Sequence, residues 1–272
     1  MMRKLKKVVV FGTGYWSHFQ IPAWQSLGVE VAGVYNRTYE NALKTAEKFA
    51  IPNVFKTPEE AFSIDFDVLD IITDVSVHEK LVLMAASYHK DVICQKPLAL
   101  TFDSCVTMEA ACKKANIWFA VHENFRYQPP ILAVKDYMKD LGRIVYATIN
   151  LKSPDRQIIK KQPALTQLDH LALRDMGPHI FDVARFYFGE FESIYSLPAI
   201  TYSDINKEDS ALSLLKAKAG FPVTCHLSHD FTYKVFIKGE NGQLTLTREN
   251  MIILENENGK HEIDTRTWGK LN

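Results

Sequence analysis

The chain has 272 residues, 47% of them apolar and 24% charged, which is the composition of a globular protein with one large or two ordinary domains. Lysine plus arginine and aspartate plus glutamate each total 32, so the formal charge is zero and the basic excess of a nucleic-acid binder is missing. Glycine (12) and proline (11) are too scarce for a fibrous or low-complexity chain.

Strand and helix patterns alternate through roughly the first 120 residues. The β-branched run Lys7 to Phe11 reads as a strand closed by glycine, followed by a helix over 18–27. Val29 to Tyr35 is a second strand and Tyr39 to Phe49 an amphipathic helix. Strands are then expected at Val68–Thr73, Asp91–Cys94 and Trp118–Val121, with helices at Val77–Tyr88 and Asp103–Ala115. Continuous apolar strands between helices indicate a parallel sheet covered on both faces. After His122 the pattern changes. Helices are expected at Pro130–Leu141 and Asp175–Phe188, stopped by Gly142 and Gly189. The rest reads as strands over 144–152, 193–203, 211–219, 222–231, 234–239, 243–248 and 251–255, with hairpin turns at Asn241-Gly242 and Asn258-Gly259. The pattern therefore reads as an α/β domain (1–122) followed by an α+β domain with a mainly antiparallel sheet (123–272).

Gly12-Thr13-Gly14-Tyr15-Trp16-Ser17 follows the first strand and opens the first helix. It is GxGxxG with serine in the third place. The first glycine permits the tight turn, the second lets backbone approach a pyrophosphate at the helix N-terminus, and the third position needs only a small side chain. The second strand ends at Asn36-Arg37-Thr38, where a NAD-selective site has an acid for the ribose 2′-hydroxyl. A neutral Asn36 and a cationic Arg37 favour NADP, with NAD as the alternative. Lys96 follows a strand end, where ligands of open α/β sheets bind. Asp175 and His179 are four apart and are expected to share a helical face, with Asp182 a turn further on.

Taken in order, these motifs resemble the glucose-fructose oxidoreductase / inositol 2-dehydrogenase / rhizopine catabolism (Gfo/Idh/MocA) family. The resemblance runs from residue 7 to about 190. It rests on the glycine loop, on Asp67–Thr73 followed by His78, on Lys96-Pro97, on Asn124-Phe125-Arg126-Tyr127-Gln128-Pro129, and on Asp175-Met176-Gly177-Pro178-His179-Ile180-Phe181-Asp182. It implies a dinucleotide-binding Rossmann domain (1–122) and a C-terminal domain with an open antiparallel sheet (123–272), and NAD(P)-dependent oxidation of a sugar or polyol hydroxyl, or the reverse reduction. It also implies that Lys96, Asp175 and His179 are catalytic, with His179 taking the hydroxyl proton, Lys96 stabilising charge on the same oxygen, and Asp175 orienting His179 or binding substrate. Cofactor contacts are expected from residues 12–17, 36–38, Thr73, His78, Gln95, Lys96 and Pro97, and substrate contacts from Lys96, Arg126, Asp175 and His179. Gln95 stands where the family usually has glutamate, Asp74 replaces its usual proline, and Leu168-Asp169-His170-Leu171 lacks its usual glycine pair. Members are generally longer, so a compact variant covering its sheet as a homodimer or homotetramer is expected.

Two other readings compete with this one. One is a catalytically weak NAD(P)-binding sensor or assembly protein; the other is a reductase of an unrelated carbonyl or imine. Arg126, Asp155, Arg156, Lys160, Lys161 and His170 are candidate pocket-lining residues. His226 and His229 would point to opposite faces of a strand, and no metal site is expected. Phe221, Phe231, Tyr233 and Phe236 are expected in sheet packing or a subunit interface. The apolar run Val8–Phe11 is too short for a signal peptide and no stretch approaches the roughly 20 residues of a membrane span. Cys94, Cys105, Cys112 and Cys225 form neither a CxxC pair nor a disulfide framework. Free thiols and a cytoplasmic location are expected.

Overall fold

The computed structural model describes residues 7–152, 169–201, 208–228, 234–247, 249–266 and 268. They divide into two units, within residues 1–122 and 123–272.

The first unit is built on β1 (Lys7–Phe11), β2 (Glu30–Tyr35), β3 (Asn53–Phe55), β4 (Val68–Ile71), β5 (Asp91–Cys94) and β6 (Phe119–Val121), in the order β3-β2-β1-β4-β5-β6. All pairings are parallel. Val8, Val9, Val10 and Phe11 are wholly buried, as a central strand with helices on both faces requires. Those helices are α1 (Ser17–Ser26), α2 (Tyr39–Phe49), α3 (His78–Ser87) and α4 (Phe102–Ala115). The side chain of Thr101 caps α4 by accepting from Ser104 N–H at 3.2 Å, and Asn116 ends it in the left-handed region. Strand β3 is absent from the expected elements: it has three residues, too few to display a period.

In the second unit, α5 (Pro129–Tyr137), α6 (Leu171–Asp175) and α7 (Gly177–Phe188) pack on one sheet. Its strands are β7 (Ile144–Lys152), β8 (Phe191–Ala199), β9 (Ser210–Ala217), β10 (Pro222–Ser228), β11 (Lys234–Gly239), β12 (Gly242–Leu246), β13 (Met251–Asn256) and β14 (Gly259–Asp264). The order is β14-β13-β12-β11-β7-β10-β9-β8, antiparallel except for β7 beside β10. Alternation sends Ala147, Ile149, Val223, Cys225, Val235, Ile237, Leu244 and Leu246 into the core beneath the helices. The opposite face carries Leu212 and Leu214, about half exposed, paired with Leu197 and Tyr195.

Three expectations are corrected. The helix placed at 175–188 is two helices meeting at Met176, because Pro178 has no N–H to give Arg174 and its ring would strike that carbonyl. Asp175 therefore ends α6 instead of opening the next helix. Both hairpins have their two-residue loops one position earlier than expected, at Glu240-Asn241 and Glu257-Asn258, with Gly242 and Gly259 pairing across as first strand residues. Strand β14 is a further element absent from the expected set, since Gly-Lys-His-Glu-Ile-Asp shows no apolar alternation. The expectations for Asp155, Arg156, Lys160, Lys161, His229, Phe231 and Tyr233 fall outside the described residues. Phe221 is buried, and Phe236 lies against Tyr146 with centroids 5.6 Å apart.

Candidate active site

The candidate residues are divided between the two units, and each group is built within its own. In the first, β1 turns into α1 through Gly12, whose φ is +106°. A Cβ there would stand 2.6 Å from Ile72 O, so conformation and space both require glycine. Nothing lies within 4 Å of the direction in which a Gly14 side chain would point. The loop is thus open on the side where backbone can approach a pyrophosphate. Ser17, in the third place of the motif, is buried and donates to Gly14 O at 2.7 Å, tying the loop to the first turn of α1. The rings of Tyr15 and Trp16 meet edge to face at 5.3 Å.

Asn36 joins the end of β2 to this loop: its amide donates to Thr13 Oγ1, and its oxygen accepts from Thr38 N–H at 2.9 Å. Arg37 and Thr38 are exposed. Asp74, beyond β4, accepts from the hydroxyl and N–H of Ser76. These bonds, with a smaller contribution from the Arg37 charge, hold its carboxyl below the usual range. Thr73 Oγ1 is buried and has no hydrogen-bond partner among the described residues. An open glycine loop at a helix N-terminus, an orphaned hydroxyl at the end of β4 and a cation at the end of β2 together fit a dinucleotide.

His78 is buried, its ring nitrogens 3.1 Å from Thr73 O and 3.2 Å from Leu98 O. Burial holds its imidazole below the ordinary pKa. It braces the loop after β4 against the segment beyond Lys96-Pro97, which are joined by a cis peptide. Gln95 is buried and accepts from Lys96 N–H at 2.8 Å. Lys96 itself is partly exposed.

In the second unit, His179 stands in the first turn of α7. Its Nδ1 lies 2.6 Å from Glu123 Oε1. The same oxygen accepts from Phe125 N–H at 3.1 Å, and the Phe125 ring lies against the imidazole with centroids 5.0 Å apart. Both side chains are largely buried, 17% and 11% exposed, so solvent screens the pair weakly. A carboxylate on Nδ1 keeps that nitrogen protonated and turns Nε2 into the proton acceptor. The break at Met176 shapes this turn: His179 N–H donates to Met176 O at 3.1 Å, a tighter turn than a continuous helix would have.

Residues 6–123 match the pattern of an oxidoreductase family with an NAD-binding Rossmann fold, and residues 133–245 match the GFO/IDH/MocA C-terminal domain. The chain belongs to the Gfo/Idh/MocA oxidoreductase family. It is similar to a D-apiose dehydrogenase of Paraburkholderia graminis, at 29% identity over 93% of this chain and 70% of that one. It is similar to a D-apiose dehydrogenase of Rhizobium rhizogenes, at 30% identity over 80% of this chain and 64% of that one. Its fold matches an oxidoreductase from Agrobacterium radiobacter solved in complex with NAD+, L-tartaric acid and magnesium. That match has a TM-score of 0.92 and 27% identity, and covers 96% of this chain and 80% of that one.

Within this Gfo/Idh/MocA chain, Arg126, expected at the site, has another partner. Arg126 and Asp182 form a two-point ion pair, with Nε donating to Oδ2 at 2.7 Å and Nη2 to Oδ1. The guanidinium also lies over the Phe186 ring at 5.6 Å. The pair pins the turn at 125–127 to α7. Asp175, at the end of α6, is not the carboxylate on His179 Nδ1; Glu123 is. Glu123 is not among the expected site residues, although it directly precedes the motif Asn124–Pro129. The one signal available is an acidic side chain at the edge of that motif. Among the described residues no group of three or more His, Cys, Asp or Glu side chains is placed to hold a metal ion, and no helix is long and apolar enough to cross a membrane.

Proposed function

We propose that this chain is an NAD(P)-dependent dehydrogenase or reductase that interconverts a hydroxyl and a carbonyl on a sugar-like or polyol substrate. The observation that carries this reading is the Glu123–His179 pair, which readies one imidazole nitrogen for proton transfer. The names of the two apiose dehydrogenases support a sugar as substrate.

A bound nicotinamide supplies the two-electron acceptor. His179 Nε2 would take the hydroxyl proton as the carbinol carbon loses hydride to that acceptor, which leaves a carbonyl. Glu123 balances the imidazolium that forms and holds the ring in place. The Lys96 ammonium is assigned to the negative charge that develops on the substrate oxygen. Asp175 is assigned to a neighbouring substrate hydroxyl. Gly12, Thr13, Gly14, Tyr15, Trp16 and Ser17 would hold the pyrophosphate, and Thr73 and Pro97 would lie against the cofactor, with His78 fixing the Thr73 carbonyl.

Asn36 and Arg37, in place of an acid, support a preference for NADP. The NAD+ in the Agrobacterium radiobacter complex favours NAD as a second reading. Calorimetric titration of the wild type and Arg37→Ala with both cofactors separates them: tighter NADP+ binding that is selectively lost in the variant supports NADP, and tighter NAD+ binding that the variant leaves unchanged supports NAD. The exposed apolar side chains on β8 and β9 support self-association through the open sheet face, as a homodimer or homotetramer. Four free thiols, three of them buried, support a reducing cytoplasm as the working compartment.

Turnover tests the whole reading. Incubation with NAD+ or NADP+ and D-apiose, levoglucosan, myo-inositol and common aldoses should reduce cofactor with at least one, and His179→Ala should abolish it. Inertness towards the whole panel, or a fully active His179→Ala, would refute it.

A further inference from the structure

Four side chains of the first unit, three of them buried, form a single run of hydrogen bonds that ends on Lys96. Trp24 Nε1 donates to Asp70 Oδ2 at 2.7 Å, and Gln20 Nε2 donates to both Asp70 oxygens at 3.0 Å. Gln95 Nε2 donates to Gln20 Oε1 at 3.1 Å, and Lys96 N–H donates to Gln95 Oε1 at 2.8 Å. Asp70, Gln20 and Gln95 are 0%, 5% and 6% exposed, so none can turn to water for a replacement partner.

The run has a direction. A carboxylate only accepts, so Asp70 turns the amide NH2 of Gln20 towards itself. Gln20 must then present its oxygen to Gln95, which presents its own oxygen to Lys96. Reversing one member sets donor against donor or acceptor against acceptor inside the protein.

We infer that Gln95 is a positioning residue for Lys96, and that Asp70 sets its orientation through Gln20. The inference rests on the reading of Lys96 as a group that acts on the substrate oxygen. It also accounts for the amide at position 95. Glutamate there, together with Asp70, would place carboxylates at both ends of Gln20, whose NH2 can face only one of them. A chain that buries Asp70 on β4 requires a side chain at 95 that both donates and accepts.

The test is a cycle of Gln95→Glu, Asp70→Asn and the double variant at about pH 8. Gln95→Glu sets acceptor against acceptor. Asp70→Asn sets donor against donor, either at Gln20 or, after both amides turn over, at Lys96 N–H. The double variant moves the carboxylate to the other end of the run. Trp24 then donates to the amide oxygen introduced at position 70, and the NH2 of that amide donates to Gln20. Gln20 and Lys96 N–H in turn donate to the carboxylate introduced at position 95. Gln95→Glu should lower Tm, and each single variant should shift the Lys96 amide resonance in a 15N–1H spectrum and cut kcat about tenfold or more with KM within about threefold. The double should regain the Tm lost in Gln95→Glu and bring kcat to within about threefold of wild type. Losses that add in the double would overturn the relay. A shifted Lys96 resonance with unchanged kcat in both singles would overturn the positioning role. If the wild type turns over no sugar, the functional reading fails, and Tm across the cycle still decides the relay: recovery supports it and additivity overturns it.

Discussion

Asp70 makes a quantitative demand on the stability of this protein. Its carboxyl is wholly buried on β4, and burial pushes its pKa from 3.8 to about 7 despite hydrogen bonds from Trp24 and Gln20 that act the other way. Between pH 4 and 7 the folded chain keeps a proton that the unfolded chain has released. This contribution to stability is therefore fully present below pH 4, falls as the pH rises through that window, and is flat above it. A rise from 3.8 to about 7 corresponds to about 4 kcal/mol at roughly 1.4 kcal/mol per pH unit. Asp70→Asn removes the titration. The difference in unfolding free energy between wild type and variant should move by about 4 kcal/mol against the wild type from pH 4 to pH 8. Urea unfolding followed by tryptophan fluorescence is the assay, since Trp24 donates to this carboxylate and its indole reports on the first unit. A difference that stays constant with pH, or moves in favour of the wild type as pH rises, would show that Asp70 does not titrate as its burial requires.

Other outcomes follow from the same geometry. Glu123→Gln should lower kcat by about 10²-fold or more with little change in KM, because the amide can donate to His179 Nδ1 and shift the proton to Nε2; unchanged kcat would remove Glu123 from the mechanism. Gly12→Ala should cost several kcal/mol in unfolding experiments, since its Cβ would meet Ile72 O at 2.6 Å in a positive-φ position. Gly14→Val meets open space, so it should leave Tm nearly unchanged while weakening cofactor binding by about tenfold or more in calorimetry. Leu214→Lys should reduce the sedimentation mass of any oligomer formed through the open sheet face, because a buried lysine there would lack a partner; an unaltered mass would place the contact elsewhere.

The features settled by neighbouring residues were readable from the sequence. A β-branched run closed by Gly12, followed by a small third residue at Ser17, specifies strand, tight turn and helix through local sterics. The period of two in β7, β10 and β11 marks one core face, since successive side chains must alternate. Pro178 also carried a local message, the break at Met176, although its place inside an otherwise helical pattern masked it. Three-residue β3 and polar β14 lacked a pattern, because their pairing is backbone chemistry that side chains barely record. The partners of the site belong to tertiary structure alone. Glu123 meets His179 and Arg126 meets Asp182 across 56 residues, and Gln20 meets Asp70 across 50 and Gln95 across 75. Sequence shows that a histidine, an arginine or a buried aspartate is available. Which carboxylate or amide it finds depends on how helices cross strands, and that choice decides which imidazole nitrogen accepts a proton and which way an amide faces.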